Sequence, residues 1–297
     1  MALARPGGVR RYYDINGWFF VGPALAMICI FMIYPILWSL WISFQSGRGM
    51  MIKFVGFGNV VRLVHDPVFL KALSNTIIFF VVQVPIMILL ALTLAAVLNS
   101  PRLIGRDMFR TAIFLPCVTS LVAYSALFKG MFADDGIINR TLETVGVIGS
   151  PIPWLTDSFW AKVLIIIAIT WRWTGYNMIF YLSAMQNIDK SIYEAARIDG
   201  INAWGRFFHI TIPLLKPVIL FTSVISTIGT LQLFDEVMNI TQGGPSDSTL
   251  TLSLYIYNLT FKFIPNLGYA ATVSYVIVVI VAMLAFLQFF AARERDQ

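Results

Sequence analysis

Six long stretches of the chain carry almost no charge: residues 17–44, 73–98, 111–128, 163–188, 218–234 and 267–290, with Arg172 alone interrupting the fourth. A hydrocarbon core about 30 Å thick is crossed by about 20 apolar residues in a helix. Each stretch meets or nearly meets that length, so the pattern predicts six transmembrane helices and an all-α membrane fold. Pro35, Pro85 and Pro116 fall inside three of the runs. Neighbouring groups in a bundle can satisfy the carbonyls a proline frees, so kinks are expected there rather than helix ends. Residues 133–160 contain Asp134-Asp135-Gly136 and Ser150-Pro151-Ile152-Pro153, which read as turns in an exposed loop. Residues 249–261 are apolar but too short to span, and predict an interfacial or re-entrant helix after the turn Gly243-Gly244-Pro245.

Composition supports this reading. Hydrophobic residues make up 58% of the 297 and charged residues 12%, and the mean hydropathy is +0.79. A soluble domain is nearer a quarter charged, so the bilayer has to serve as solvent. The formal net charge of +6 does not point to nucleic acid, because no basic stripe is interleaved with stacking aromatics. Basic residues instead gather in alternate short loops. One set comprises Arg5, Arg10 and Arg11, then Arg102, Arg106 and Arg110, then Lys190, Arg197, Arg206 and Lys216, and finally Arg293 and Arg295. The positive-inside rule puts these in the cytoplasm, with both termini inside: a tail at 1–16 and another at 291–297, on a single transmembrane domain spanning 1–297. Trp18, Trp154 and Trp160 lie near span ends, where an interfacial aromatic belt is expected. Cys29 and Cys117 sit within apolar runs and are expected to be buried thiols. His65 and His209 lack partners at metal-ligand spacing, and the first apolar run is too long for a signal-peptide core.

The most informative polar segment is 189–213, between the fourth and fifth spans. Ser191 and Glu194 stand three apart, as a capping box requires. Gly200 suits the left-handed position that ends a helix, and Asn202 can cap a second short helix that Pro213 would end. This predicts a helix–turn–helix elbow on the cytoplasmic face. From physics alone it is either an ordinary amphipathic loop or a partner-binding element, since its first helix is too short to be stable unaided.

The residues themselves favour the second alternative. Tyr193-Glu194-Ala195-Ala196, Ile198-Asp199-Gly200, Trp204, Phe207 and Ile210 through Pro213 resemble the EAA loop of ABC importer permeases. Phe234-Asp235, Thr241, Gly243-Gly244-Pro245 and Leu254 through Tyr257 are similar to the sugar-permease branch of that family, in its shorter version without extra N-terminal spans or a large outer domain. The resemblance implies that Tyr193, Glu194, Ala195, Ala196, Ile198, Asp199, Gly200 and Phe207 couple to a cytoplasmic ATPase. It implies that Gly243, Gly244 and Pro245 face an extracytoplasmic solute-binding protein. It also implies a second homologous permease, a pair of ABC ATPases and a bacterial or archaeal cytoplasmic membrane. The chain has no Gly-Lys phosphate loop of its own, so it binds no cofactor, and ATP with magnesium belongs to the partner.

Sugars are held by planar hydrogen-bonding side chains and aromatic rings, and uncharged groups can do this without a full ionic desolvation cost. On that ground Gln83, Asn177, Tyr181, Gln232 and Tyr275 are candidates for the solute path, joined by Asp235 at the end of the fifth span. Each has an alternative as an interhelical hydrogen bond. Arg172 is expected to meet a carbonyl or carboxylate at a helix interface, and Asp235 and Glu236 to reach water. The expectation is therefore a membrane subunit for carbohydrate import, with glycerol phosphate or a polyol as the alternative cargo. It is not an enzyme, since no nucleophile–base pair or metal cluster lies within the spans.

Overall fold

Uncharged runs have only each other and lipid to face, and in a bilayer a helix is the way a single segment satisfies its own backbone. The computed structural model describes residues 6–48, 51–100 and 103–293. Its helices are α1 (Pro6–Ile28), α2 (Tyr34–Ser43), α3 (Gly58–His65), α4 (Pro67–Leu98), α5 (Arg106–Val118), α6 (Leu121–Met131) and α7 (Ile137–Thr144). They continue with α8 (Ser158–Gln186), α9 (Lys190–Ile198), α10 (Ala203–Arg206), α11 (Ile212–Leu231), α12 (Asp235–Ile240), α13 (Leu252–Tyr257) and α14 (Leu267–Arg293). Strands β1 (Gln45–Arg48) and β2 (Met51–Phe54) pair antiparallel between α2 and α3, a small departure from an all-helical reading.

Among the described residues five helices are long and apolar enough to cross a bilayer: Gly17–Ser43, Pro67–Leu98, Ser158–Gln186, Ala203–Leu231 and Leu267–Ala291. The sixth expected span is not one helix. Its residues divide into α5 and α6, which meet at 102°. Pro116 does not kink a continuous span here; the helix stops after Val118, and the Thr119 hydroxyl donates to the Pro116 carbonyl at 2.7 Å. A proline also explains two wider turns. At Cys29–Ile33 and Phe207–Thr211 the ladder shifts to π spacing, with Tyr34 N–H on Cys29 O and Ile212 N–H on Phe207 O. Pro35 and Pro213 follow at once, so the shifted register absorbs their missing N–H groups. Pro213 therefore does not end the second elbow helix: Ala203 to Leu231 is one helical path.

The central pair is α4 and α8, which pack along one another, with α5 and α11 against them and α14 beyond α11. Gly175 on α8 lets α5 approach closely, because a Cβ there would collide with the Ile113 carbonyl. Two apolar clusters fill the bundle. One lies toward the start of α4 and includes Phe79, Ile165, Ile169, Val237 and Tyr269; the other lies toward its end and includes Ala91, Ala95, Met178, Tyr181 and Leu215. The first span packs on α14 through α2 but leaves most of its surface uncovered, with Phe19, Phe20 and Phe31 at least three-quarters exposed. For that reason Cys29 is exposed rather than buried, while Cys117 is half-buried.

The segment 133–157 is more ordered than an open loop. Asn139, fully buried, donates to the carbonyls of Ala133, Asp134 and Ile152 and accepts from Ile152 N–H and Trp154 Nε1. Trp154 is thus 6% exposed and belongs to the core, not to an interfacial belt. Helix α13 is also no surface element: Leu252, Leu254 and Tyr255 are buried, and it packs on α4 and α14.

Candidate coupling elbow and solute-path residues

The elbow begins at Asp189, in extended conformation, whose carboxylate accepts from Ser191 N–H at 2.9 Å. Asp189 is therefore the cap, and Ser191 is a helical residue rather than the start of a capping box. Those bonds from Ser191 hold the Asp189 carboxyl below its usual range. Helix α9 ends in a Schellman turn: Ile201 N–H bonds Ala196 O and Gly200 N–H bonds Arg197 O, with Gly200 at φ +77°. Asn202 then caps α10 through Gly205 N–H at 2.7 Å.

Contacts within the elbow hold its two arms together, and Phe207 joins it to the bundle. Ala196 is the buried residue of α9, and Tyr193 OH lies 3.0 Å from Thr211 Oγ1. Phe207, half-buried, packs against the lower apolar cluster. Glu194, Ala195, Ile198, Asp199 and Gly200 all remain exposed. Ile198 is 87% exposed, so an apolar side chain stands unpacked at the tip of the elbow.

At the opposite end of α4 the Gly-Gly-Pro turn is wrapped tightly. Gly243 has φ +87° and is buried against Leu250 and Leu254; Gly244 and Pro245 are half-buried. Lys71 Nζ donates to Ser246 O at 2.6 Å, and Asn75 Nδ2 donates to Asp247 O and Leu250 O. Thr249 Oγ1 donates to Gly244 O. Nearby, Asp66 caps α4 through Val68 and Phe69 N–H, and its other oxygen accepts Tyr255 OH and Tyr269 OH, each at 2.6 Å. Burial by itself would raise the Asp66 carboxyl, but those four hydrogen bonds together hold it below its usual range. Sequence reading did not single out this node, because its members come from three separate elements.

The solute-path candidates divide into two groups. Gln83, Asn177 and Tyr181 are all buried between α4, α8 and α11. Thr230 Oγ1 donates to Gln83 Oε1 at 3.0 Å, Asn177 Nδ2 donates to Trp173 O at 3.0 Å, and Tyr181 OH lies 2.6 Å from Thr222 Oγ1. Tyr275 is half-buried and donates to Ile36 O, tying α14 to α2. Gln232 and Asp235 are exposed at the end of α11 and the start of α12. Between these positions, Arg172 of α8 meets Glu236 of α12 across 3.6 Å. Glu236 is therefore buried rather than exposed at the span end, whereas Asp235 is exposed.

A bundle of long apolar helices around a few polar contacts, with an unpacked elbow at one end, is that of a multi-pass membrane protein. Its family follows from direct comparison. The chain belongs to the binding-protein-dependent transport system inner membrane components, which it matches over residues 54–296. It is 70% identical to the lactose transport system permease protein LacF of Rhizobium radiobacter, over 99% of this chain and 100% of that protein. It is 32% identical to the trehalose/maltose permease protein MalF of Thermococcus litoralis, over 82% of each. A bacterial alginate ABC transporter, solved with a periplasmic protein carrying an alginate pentasaccharide, superposes with a TM-score of 0.83 at 22% identity, covering 98% of both chains. That last likeness is one of fold.

Proposed function

We propose that this chain is one half of the membrane pathway of an ATP-driven importer for lactose or a closely related small saccharide. The observation that carries the reading is the 70% identity to a lactose permease across nearly the whole of both chains. A homologous second permease completes the pathway, an ABC ATPase pair holds ATP and magnesium, and an extracytoplasmic binding protein delivers the sugar. Both termini lie in the cytoplasm of a bacterial cell, and α5 with α6 crosses as a broken sixth span. The exposed face of α9, with Glu194, Ala195, Ile198, Asp199 and Gly200, seats in the ATPase. The turn at Gly243, Gly244 and Pro245 faces the binding protein. Exposed Gln232 and Asp235 meet the solute more directly than the hydrogen-bonded Gln83, Asn177 and Tyr181. A phosphorylated cargo draws no support from Arg172, whose charge is met by Glu236.

The test is uptake by proteoliposomes containing the assembled complex, with binding protein outside and ATP within. Radiolabelled lactose should accumulate, and glycerol 3-phosphate should not. Accumulation of glycerol 3-phosphate without lactose would sink the assignment.

A further inference from the structure

Behind the exposed face of the elbow lies a basic basin that shares Tyr193, Glu194 and Phe207 with the coupling segment and lies outside the solute path. A cavity of about 840 Å³ lies between the ends of α4 and α8, the start of α5, and the elbow. Five basic side chains line it, Arg106, Arg110, Lys190, Arg197 and Arg206, against one acid, Glu194. Two of the guanidinium groups are positioned by backbone carbonyls, which orient a cation without cancelling its charge. Arg110 Nη2 donates to Leu98 O at 2.9 Å, and Arg206 Nη1 donates to Ile201 O at 2.6 Å. Asp107 pairs with Arg110 at 3.1 Å and approaches Arg106 at 3.9 Å. Among the described residues no ion pair reaches Lys190, Arg197 or Arg206, and the Arg110 Nε is buried with no hydrogen-bond partner among them.

A second, separately lined cavity lies further along α4 and α5, toward the middle of the membrane. It measures about 590 Å³ and runs between α4, α5 and α8. The same two helices form both walls. On α4 the lining passes from Val97 and Thr93 to Leu94, Leu90 and Ile86; on α5 it passes from Arg106 and Arg110 to Ile113 and Pro116. The lining thus changes from cationic to apolar within about one helical turn. A ligand that fills both must carry an anion at one end and a hydrocarbon chain at the other, and it must lie at the level where spans leave the membrane.

We propose that these two neighbouring cavities bind an anionic phospholipid, with its phosphate head group in the basic basin and an acyl chain along the α4–α5 groove. Basic pockets between helices at the cytoplasmic boundary are suited to such head groups. Occupancy would brace the elbow from behind, because Lys190 and Arg197 belong to α9 while Arg106 and Arg110 belong to the bundle. The inference rests on the permease reading for the leaflet involved, and not on which solute is carried.

The experiment is native mass spectrometry of the assembled complex titrated with phosphatidylglycerol or phosphatidylcholine. Phosphatidylglycerol should be retained in preference. Each cation beside an anionic head group is worth about fivefold in affinity, so Lys190→Gln/Arg197→Gln should weaken retention more than about tenfold. Arg106→Gln, which lies off the elbow, should weaken it about fivefold and guards against a variant that fails to assemble. Leu90→Trp should weaken it by filling the apolar groove, and millimolar inorganic phosphate should not displace the lipid. Equal binding of phosphatidylcholine, or displacement by inorganic phosphate, would overturn the proposal. So would unchanged lipid retention accompanied by loss of the ATPase, which would assign these cations to the ATPase contact. Because lipid retention is read without transport, its failure leaves the uptake result standing and separately measured.

Discussion

Arg172 Nη1 and Glu236 Oε1 lie 3.6 Å apart, with both side chains more than nine-tenths buried, and they tie the middle of α8 to the short helix that follows α11. The guanidinium also lies 5.4 Å from the Tyr124 ring and 5.5 Å from the Trp173 ring. The separation is that of an ion pair rather than a hydrogen bond. A buried pair of this kind contributes little net stability, but removing one partner strands a charge and costs about 3–5 kcal/mol. Arg172→Met and Glu236→Leu should each lower the melting temperature of the purified complex, while the double variant recovers most of the loss. Additive losses in the double variant would mean that the two residues do not depend on one another.

Asp66 joins α4, α13 and α14 through one carboxylate. Its pKa is depressed in the folded protein, so its contribution is fully present above the ordinary aspartate value, about 3.9. It is lost as pH falls through the folded-state value. Asp66→Asn keeps one acceptor and offers no charge, so the tyrosine hydroxyls lose their strong partner at a cost of about 1–3 kcal/mol. The variant should melt lower than wild type at neutral pH, and the gap should close in strong acid. A gap that widens in acid would contradict the sign of this linkage.

The two groups of solute-path candidates should separate in function. Gln232→Ala removes an exposed amide from the end of α11 and should reduce uptake several-fold with the complex intact. Asn177→Ala removes a buried hydrogen bond and should lower stability by about 1 kcal/mol, visible as a lower melting temperature. Normal uptake by Gln232→Ala would move the solute contacts to the second permease.

What was legible in the chain were features that act locally. Charge-free runs gave five of the spans, Gly200 marked its left-handed turn, and Asn202 marked its cap. The broken span was not legible, because the chain bends at Thr119–Ser120 rather than at Pro116, and a threonine hydroxyl bonding back to a carbonyl leaves no pattern in sequence. Asp189 and Ser191 are both residue types that cap helices, and only the extended backbone at Asp189 distinguishes them. The partners of Arg172 and Asp66 lie on other elements, so their roles exist only once the bundle is assembled. Trp154 and Cys29 exchanged places for the same reason: burial depends on what packs alongside, and hydropathy does not say what does.

Orientation is open to a chemical test. Ser246 and Ser191 are both exposed and lie at opposite ends of the bundle. Single cysteines at these positions, treated with an impermeant thiol reagent in intact cells, should label at 246 alone. Labelling at 191 would place the elbow outside and remove any ATPase from its reach.

The elbow should fail at its partner and not in its own folding. Gly200 at φ +77° closes the Schellman turn with open space around its α-carbon, so a valine there meets no neighbour and is opposed by its own backbone alone. For a β-branched residue that conformation costs about 1–2 kcal/mol, too little to unfold a bundle whose core lies elsewhere. Glu194 is exposed and makes no ion pair among the described residues, so reversing its charge also leaves the bundle's contacts in place. Gly200→Val and Glu194→Lys should therefore reach the membrane at wild-type levels. Copurification of the ATPase should fall, and hydrolysis stimulated by the sugar-loaded binding protein should fall with it. Pairing each substitution with Ile198→Ala would show whether the unpacked isoleucine serves the same contact: a shared site gives losses smaller than the sum. Normal ATPase retention and normal stimulated hydrolysis in both single variants would remove α9 as the coupling element.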